Sequence, residues 1–498
     1  MAAIDSGLFA NYRGKDRAAW KQIREEKSKE VEELLGTIPE KKLPAPNARA
    51  LMLIRKSMKS TADQTSLSPK VPCHDAQRSD LSVADLRSAL YSCFDEVGNN
   101  LEFEGKRVSR VSAFDLMTQM SEPERRKALF MAFVPLWKAL DGSDELGSPY
   151  RRMIVQSAAE TPKNGSRVDD AAKTLGVQSA QIETWLVQIL DAWRQVSGDQ
   201  QIEPWDYRYL AGKADRSVSK AIPREALLPI TQRYYKDLGA DLVQLGVLYD
   251  LDERPGKAPL AYTDFVVRGQ MANNVWQPTV VYVSGNYARG GLGLLNEFVH
   301  ENGHAVHMMA LHTDPAFMDL GDPVFYEAFA DVPSWDTYEP AWQRKYLGTS
   351  AAESDSLRAL YSGVMLDVAW ALFEIRMLHR PMGDPNVVWT EITSRYLHIV
   401  PHPELAWWAV RVQMVDAPGY MVNYGLGAVI TADIRHHIQE SLGPFATGNA
   451  NWYAWISEHL LRQGMEHETS EELKQFLGRP VSPEALLSDL RRIGRQDH

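Results

Sequence analysis

The hydrophobic and polar positions of the chain repeat mostly with the period of an α-helix. Apolar residues recur every three or four positions along many stretches, as in helices that bury one face. The pattern predicts helices over residues 11–35, 48–58, 82–94, 113–120, 122–140, 150–159, 179–197, 224–238, 354–379 and 387–398. We therefore expect a mainly α protein whose first half is dominated by helix bundles.

A different pattern covers residues 275–283, which are β-branched and aromatic and are bounded by turn residues. It predicts a strand that continues into Ser284, Gly285 and Asn286. An exposed edge of this strand could bind an extended peptide through backbone hydrogen bonds, and a core strand is the alternative. Residues 101–108 alternate as in a short hairpin. We expect one small sheet next to the helical segment that follows.

The length of 498 residues exceeds the usual size of a single hydrophobic core. Hydrophobic residues make up 44% and charged residues 24%, which is typical of a folded protein and excludes a disordered or fibrous class. We expect a mainly helical N-terminal subdomain and channel wall over residues 1–245. A second subdomain over residues 246–498 would hold the candidate site.

The charge and cysteine content restrict partners and compartment. The formal net charge of -11 argues against a nucleic-acid or anionic-membrane surface, so small or peptidic partners are favoured. No apolar run approaches the roughly 20 residues that span a bilayer, and no secretory signal is visible. Cys73 and Cys93 alone cannot form a disulfide framework, and Cys73-His74-Asp75 is interpreted as a plain loop. We expect a cytoplasmic protein.

Two histidines four residues apart, His300 and His304, lie in a segment with a helical pattern. Side chains at that spacing project from one face, so both imidazoles can reach one metal ion. Glu301 points slightly around the helix, where a carboxylate can take a proton from metal-bound water instead of binding the metal. The spacing predicts one zinc ion and hydrolase chemistry; a chance pair of surface histidines is the alternative.

Glu327 and Asp331 lie one turn apart in a second helical stretch. This spacing lets Glu327 bind the metal while Asp331 orients a ligand histidine through its second ring nitrogen. Paired acids on a helix usually form a solvated face. Here they lie in an apolar run over residues 324–332, where acids are rarely placed for solubility.

Tyr420 and Tyr424 come directly after a Pro-Gly turn at residues 418–419. Tyrosines four positions apart can place two phenolic hydroxyls on one side of a helix. Hydroxyls in that arrangement could donate to an oxyanion formed at the metal. The two tyrosines are therefore candidate catalytic residues.

These motifs resemble the zinc metallopeptidases of the thimet oligopeptidase and oligoendopeptidase family, with a second likeness to the angiotensin-converting enzyme group. The resemblance covers most of the chain after about residue 80. Residues 254–257 look like the Arg-x-Gly-Lys turn of the family, residues 300–304 match its zinc helix, and residues 476–487 resemble its C-terminal end. Residues 327–332 are similar to the third-ligand segment of the converting-enzyme group, and the tyrosine pattern to that of oligoendopeptidases.

The resemblance implies His300, His304 and Glu327 as ligands of one Zn²⁺ per chain. It also implies Glu301 as general base and then acid, and the two tyrosines as oxyanion stabilisers. The implied fold is a large helical ellipsoid with a deep central channel and a small β-sheet beside the zinc helix. Such a channel admits short unfolded peptides and excludes folded proteins.

One position departs from these families, which carry a histidine several residues before the tyrosine pair. Residues 412–414 of this chain read Val-Gln-Met. Gln413 could donate an amide hydrogen bond to the substrate in place of that histidine. A histidine from elsewhere, such as His402, could also reach the site.

The function that these observations favour is a zinc metallopeptidase of the oligopeptidase or dipeptidyl carboxypeptidase type, acting on short peptides. A zinc hydrolase of a non-peptide amide or of a modified peptide is one alternative, and the missing histidine favours it. A non-catalytic peptide-binding protein is another, against which the intact Glu301 argues.

Overall fold

Helices account for most of the chain in a computed structural model, which confirms the mainly α class. The described residues are 17–39, 43–65, 71–143, 147–164, 166–252, 261–287, 289–318 and 322–494. The start of the first expected helix and the Arg-x-Gly-Lys turn at residues 254–257 lie outside these ranges. Among the described residues, no helix combines the length and the apolar character that crossing a bilayer requires.

The α-helices are Arg17–Gly36, Ala45–Thr65, Val83–Cys93, Arg110–Gln119, Pro123–Met131, Val134–Asp141, Pro149–Asn164, Arg167–Leu175, Ser179–Val196, Tyr207–Ala211, Lys213–Val218, Leu227–Asp237, Leu242–Leu245, Leu292–Ala310, Pro323–Ser334, Pro340–Leu347, Glu353–His379, Pro385–Tyr396, Gln413–Asp416, Met421–Ser441, Trp452–Ile456, Thr469–Leu477 and Glu484–Gly494. The single helix predicted over residues 122–140 is two helices. Pro135 lies in the first turn of the second helix. In one continuous helix its ring would clash with the carbonyl of Met131, which is the residue at which the first helix ends.

The strands are β1 (Leu101–Phe103), β2 (Lys106–Val108), β3 (Leu248–Asp250), β4 (Tyr262–Val267), β5 (Gln270–Ala272), β6 (Val275–Gln277) and β7 (Val280–Ser284). β1 and β2 form the expected antiparallel hairpin. In the larger sheet, β7 lies between β3, to which it is parallel, and β4, to which it is antiparallel. β5 and β6 form a separate hairpin.

The strand predicted over residues 275–283 is therefore two strands in different sheets. Pro278 separates them, because proline lacks the N–H that a continuing ladder needs. β7 is paired on both sides, so the interpretation of it as an exposed edge is wrong and the core-strand alternative holds. Ser284 pairs with Asp250 on one side and with Tyr262 on the other.

The chain divides into two compact units, each built from three segments. The first unit comprises residues 1–66, 218–350 and 434–480, and the second comprises residues 67–217, 351–433 and 481–498. The boundary expected at residue 245 falls inside the first unit. Sequence periodicity shows that a helix buries one face, but it does not show which distant helix covers that face.

In the second unit, the long helix Glu353–His379 carries an aromatic core. The ring of Trp370 stacks on Trp389 at 5.2 Å, and the ring of Phe373 stacks on Trp408 at 5.5 Å. All four side chains are almost fully buried. These tryptophans therefore serve packing.

A covalent link in the second unit was not expected. Cys73 lies in a short 3-10 helix, Cys73–Gln77, and its sulfur is bonded to that of Cys93 with an S–S distance of 2.11 Å. The segment interpreted as a plain loop is therefore a helical turn held to the end of the helix Val83–Cys93. Two cysteines do not make a framework of disulfides, but they do make this single link.

A buried ion pair lies in the first unit. Asp336 is fully buried and Arg435 is 5% exposed, and their nearest charged atoms lie 2.6 Å apart. Arg435 also donates to the carbonyl of Val332, and the hydroxyl of Tyr234 donates to Asp336 at 2.6 Å. The pair thus fixes the end of the helix Pro323–Ser334, which carries two predicted site residues.

We expect the substitution Arg435→Met to lower the free energy of unfolding by about 3–5 kcal/mol, because it leaves a buried carboxylate without its cation. Guanidinium denaturation measures this loss. The matched control is Arg462→Met, which removes an exposed pair with Glu458 and should cost no more than about 1 kcal/mol. Equal losses in the two variants would contradict this account of the buried pair.

Candidate metal centre

The helix Leu292–Ala310, here called the histidine helix, carries the two predicted histidine ligands. It begins after Gly291, whose φ of 118° suits glycine. Most of its apolar side chains, such as Leu295 and Phe298, are fully buried, and it packs against β4 and β7 of the small sheet. The sheet therefore lies beside this helix, as expected. The Nε2 atoms of His300 and His304 lie 3.1 Å apart.

The helix Pro323–Ser334, here called the carboxylate helix, packs directly on the histidine helix. A Cβ added at Gly303 would lie 2.8 Å from the Cα and from the carbonyl oxygen of Ala330, so only glycine allows this close approach. The contact brings the Glu327 Oε2 atom to 3.3 Å from His300 Nε2 and to 3.8 Å from His304 Nε2. The three predicted ligands therefore share one site.

The donor geometry fits a zinc ion. Zinc binds histidine nitrogen and carboxylate oxygen at about 2.0–2.2 Å, so a tetrahedral site needs donors roughly 3.4 Å apart. The separations of 3.1, 3.3 and 3.8 Å bracket this value. Two histidines and one glutamate are one of the donor sets of catalytic zinc sites, which keep a fourth position for water or substrate. Among the described residues, only His300, His304 and Glu327 form a group suited to a metal.

Asp331 contacts the first histidine, as its predicted orienting role requires. Its Oδ1 atom lies 2.7 Å from His300 Nδ1 and accepts a second hydrogen bond from the Ser334 hydroxyl at 3.1 Å. A proton on Nδ1 leaves Nε2, the atom that faces Glu327, with its lone pair available to a metal. His304 has no such partner: its Nδ1 atom is buried and lacks a hydrogen bond within the described part of the chain.

The substitution Asp331→Ala should weaken zinc binding about ten- to hundredfold, because the His300 ring loses the partner that fixes its tautomer and orientation. Competition with a chromophoric chelator measures the zinc dissociation constant. Asp331→Asn is the matched variant, since its amide oxygen can still accept from Nδ1, and it should bind zinc more tightly than the alanine variant. An unchanged dissociation constant in Asp331→Ala would contradict the orienting role.

Glu301 lies beside the ligand group without belonging to it. Its side chain is only 7% exposed, and burial raises its pKa to about 7, although His300 and a hydrogen bond from Thr263 oppose the shift. The Thr263 hydroxyl lies 2.8 Å from Glu301 Oε2 and also 2.8 Å from the Glu301 carbonyl oxygen. A carboxyl group with a pKa near 7 suits general acid–base catalysis at neutral pH.

Sequence reasoning did not find Thr263 or the packing role of Gly303. Thr263 lies on β4, 38 residues before Glu301, and nothing in its local sequence indicates this contact. Gly303 did offer a signal, because glycine inside a helix costs about 1 kcal/mol relative to alanine and so indicates a close approach. The side-chain oxygen of Asn302, the residue between Glu301 and Gly303, accepts a hydrogen bond from the hydroxyl of Tyr249 at 2.7 Å.

The other predicted site residues lie apart from this group in the chain. Tyr420 and Tyr424 belong to the second unit, where their ring centroids lie 5.8 Å apart. The guanidinium of Arg411 lies over the Tyr424 ring at 5.4 Å. Gln413 is half-buried at the start of a four-residue helix in the same unit. Their catalytic roles stay predictions.

His402 is engaged elsewhere. Its Nδ1 atom lies 2.7 Å from Glu404 and its Nε2 atom lies 2.8 Å from Glu203. Both carboxylates favour the charged ring and raise the pKa of His402 against the effect of partial burial. The alternative in which His402 replaces the missing histidine would require at least one of these two contacts to break.

Three solved structures share the fold over most of the chain. PZ peptidase A with an inhibitor has a TM-score of 0.61 and 16% identity, covering 91% of this chain and 86% of that chain. A protein named oligoendopeptidase F has a TM-score of 0.61 and 16% identity, covering 99% and 96%. The M32 carboxypeptidase of Deinococcus radiodurans R1 has a TM-score of 0.54 and 16% identity, covering 96% and 99%.

At this level of identity, the likeness concerns the fold, which is the mainly helical fold of these peptidases. Comparisons with models of protein families and with curated proteins find no match. The resemblance to oligoendopeptidases thus agrees with the fold, while the resemblances to thimet oligopeptidase and to angiotensin-converting enzyme stay predictions.

Proposed function

We propose that the chain is a zinc-dependent metallopeptidase that hydrolyses short, unfolded peptides. The observation that carries the proposal is the group formed by His300, His304 and Glu327, with donor separations of 3.1–3.8 Å and the buried Glu301 beside it. The names of the three structures with the same fold, all peptidases, support the reaction class.

In this proposal, His300, His304 and Glu327 hold the metal. Zinc, when bound, would act as a Lewis acid that lowers the pKa of a water molecule and polarises the scissile carbonyl. Glu301 takes the proton of the water and later delivers it to the leaving amine. The hydroxyl of Thr263 keeps the carboxylate of Glu301 in one orientation during both transfers.

In this proposal, the substrate lies along the sheet. Within the described residues, β4 is an end strand of the three-stranded sheet, whereas β7 is its central strand. Thr263 lies on β4, so an extended peptide added to this edge would run past Glu301. Gly285 and Asn286 follow β7, and we still propose that they contact the substrate. Because β7 is paired on both sides, these contacts would not come from a peptide that pairs with β7.

Tyr420 and Tyr424 would donate hydrogen bonds to the oxyanion of the substrate, and Gln413 would add an amide donor. The loss of one such donor typically costs about a hundredfold or more in rate. A zinc hydrolase of modified peptides or non-peptide amides is the second candidate. Two observations favour it: residues 412–414 contain no histidine, and His402 is held by two carboxylates.

The zinc-loaded protein should cleave a mixture of unstructured peptides of five to twenty residues and leave a folded protein intact. Cleavage should stop on chelation and return when zinc is added back. Mass spectrometry of the products also maps the cleaved bonds, which separates endopeptidase action from release of C-terminal dipeptides. Cleavage of modified amides alone would select the second candidate. Binding of peptides without any cleavage would contradict both.

A further inference from the structure

We propose that Glu374 is a positioning residue for Tyr420: its carboxyl group fixes the turn that presents the Tyr420 hydroxyl. The inference rests on the proposed function, in which Tyr420 donates to the oxyanion of the substrate. Glu374 itself is assigned no contact with the substrate. It would influence the rate of peptide cleavage only by holding the backbone on either side of Tyr420.

The hydrogen bonds of Glu374 bracket the tyrosine. Glu374 lies in the helix Glu353–His379, its side chain is fully buried, and its two carboxyl oxygens accept from two different backbone amides. The N–H of Gly419 donates to Oε1 at 2.9 Å, and the N–H of Met421 donates to Oε2 at 2.8 Å. Tyr420 is the residue between them, so its Cα is held from both sides.

The turn depends on this acceptor. Gly419 has a φ of +86°, which favours glycine, and the Tyr420 N–H donates to the Ala417 carbonyl at 2.8 Å. The helix Met421–Ser441 begins directly afterwards. An N–H in the first turn of a helix has no partner within the helix, and a carboxyl group at that end is favourable. Glu374 therefore also fixes the start of the helix that carries Tyr424.

The surroundings make an acid costly at this position. Glu374 follows Phe373 in the aromatic core of the second unit, and burial raises its pKa to about 8, although the two amides oppose the shift. A buried carboxyl group costs free energy unless its oxygens are bonded. Within the described part of the chain, the two carboxyl oxygens of Glu374 accept from the backbone amides on either side of Tyr420. The guanidinium of Arg167, which lies 5.8 Å from the Tyr420 ring centroid, also lowers the pKa of Glu374.

The near-isosteric substitution Glu374→Gln tests the inference, because its amide group can accept at only one of the two positions. We expect kcat for peptide cleavage to fall about tenfold, since small displacements of a catalytic group are costly. KM should stay within about twofold, and the zinc content should stay at that of the unmodified protein. An unchanged kcat would overturn the proposal.

A double-mutant cycle separates positioning from general stability. Tyr420→Phe should lower kcat about a hundredfold. If Glu374 acts through the tyrosine hydroxyl, the double variant Glu374→Gln, Tyr420→Phe should be no slower than Tyr420→Phe alone. Losses that multiply to about a thousandfold would overturn the positioning role. A Tyr420→Phe variant with full activity would also overturn it, while the proposal of a zinc-dependent peptidase would stand without a role for Tyr420.

Asp433→Asn is the matched control, because Asp433 is also a buried acid of the second unit and accepts the Ser482 N–H at 2.9 Å. It should lower the thermal stability without coupling to Tyr420→Phe. If Asp433→Asn coupled to Tyr420→Phe as strongly as Glu374→Gln does, the loss of kcat in Glu374→Gln would reflect a loss of general stability. That result would overturn the proposal.

Hydrogen exchange gives a readout that does not need activity. In the full-length Glu374→Gln protein, the peptide that spans residues 417–423 should exchange its amide hydrogens faster, with the histidine helix unchanged. Unchanged exchange in this peptide would overturn the inference. If the amides respond but the unmodified protein cleaves no peptide, the proposed function fails while the structural link between Glu374 and the turn stands.

Discussion

The substitution Glu301→Gln should leave the zinc content unchanged and lower kcat for peptide cleavage by about a thousandfold. General acid–base catalysis by a positioned side chain typically contributes a factor of about 10²–10⁴. Glutamine keeps the size of the side chain, and its oxygen can still accept from Thr263, but it cannot take a proton from water. Mass spectrometry of peptide products measures the rate, and elemental analysis of the same sample measures the metal.

The matched control for this substitution is Glu471→Gln in the same unit, where the side chain is exposed and lies on the helix Thr469–Leu477. It should keep full activity. Substantial turnover by Glu301→Gln would contradict its assignment as the general base. Loss of zinc together with activity would instead place Glu301 among the groups that hold the metal.

The substitution His304→Ala should abolish stoichiometric zinc binding and, with it, all peptide cleavage. His304 is 8% exposed, and its Nε2 atom faces both His300 and Glu327, so its removal opens the site on one side. Loss of a ligand should weaken binding by more than the roughly hundredfold that loss of an orienting partner costs. Zinc titration and elemental analysis after dialysis check the result.

His307→Leu is the matched control on the same helix. His307 lies one turn further along and is 2% exposed between the rings of Phe325 and Phe329. Burial lowers its pKa to about 3, so the ring is neutral and contributes packing. Leucine should preserve that packing, and the variant should keep its zinc. Equal zinc loss in both variants would show that His304→Ala disrupts the fold rather than the site.

The metal group was predictable because its information is local. Residues four apart on a helix share a face whatever the rest of the chain does, so His300 and His304 follow from spacing alone. The same rule places Asp331 one turn after Glu327. Spacing alone does not show that the histidine helix and the carboxylate helix pack together. That packing depends on the close contact between Gly303 and Ala330, which lie in segments joined by a loop.

Thr263 and Glu374 show what spacing leaves out. Thr263 contacts Glu301 from a strand of the sheet, and Glu374 holds a turn that lies 45 residues later in the chain. Each residue is unremarkable in its own segment, and its role arises only when tertiary packing brings two segments together. The structure is needed to identify residues of this kind.

The organisation of the chain was not predictable for a related reason. Hydrophobic periodicity identifies helices such as Ser179–Val196 closely, because it reports a buried face. It does not report that the chain passes between the two units at residues 66, 217, 350, 433 and 480. Likewise, the β-branched and aromatic residues of β7 indicate a strand, but they do not indicate that β3 and β4 pair with it on opposite sides.

The measurement that tests the central claim most directly is the zinc content of the purified chain, followed on one sample through chelation and zinc re-addition while peptide cleavage is recorded. We expect one zinc per chain, loss of cleavage when the metal is removed, and recovery when one equivalent returns. Peptide cleavage by the metal-free protein, or a chain that binds no zinc at this site, would contradict the account.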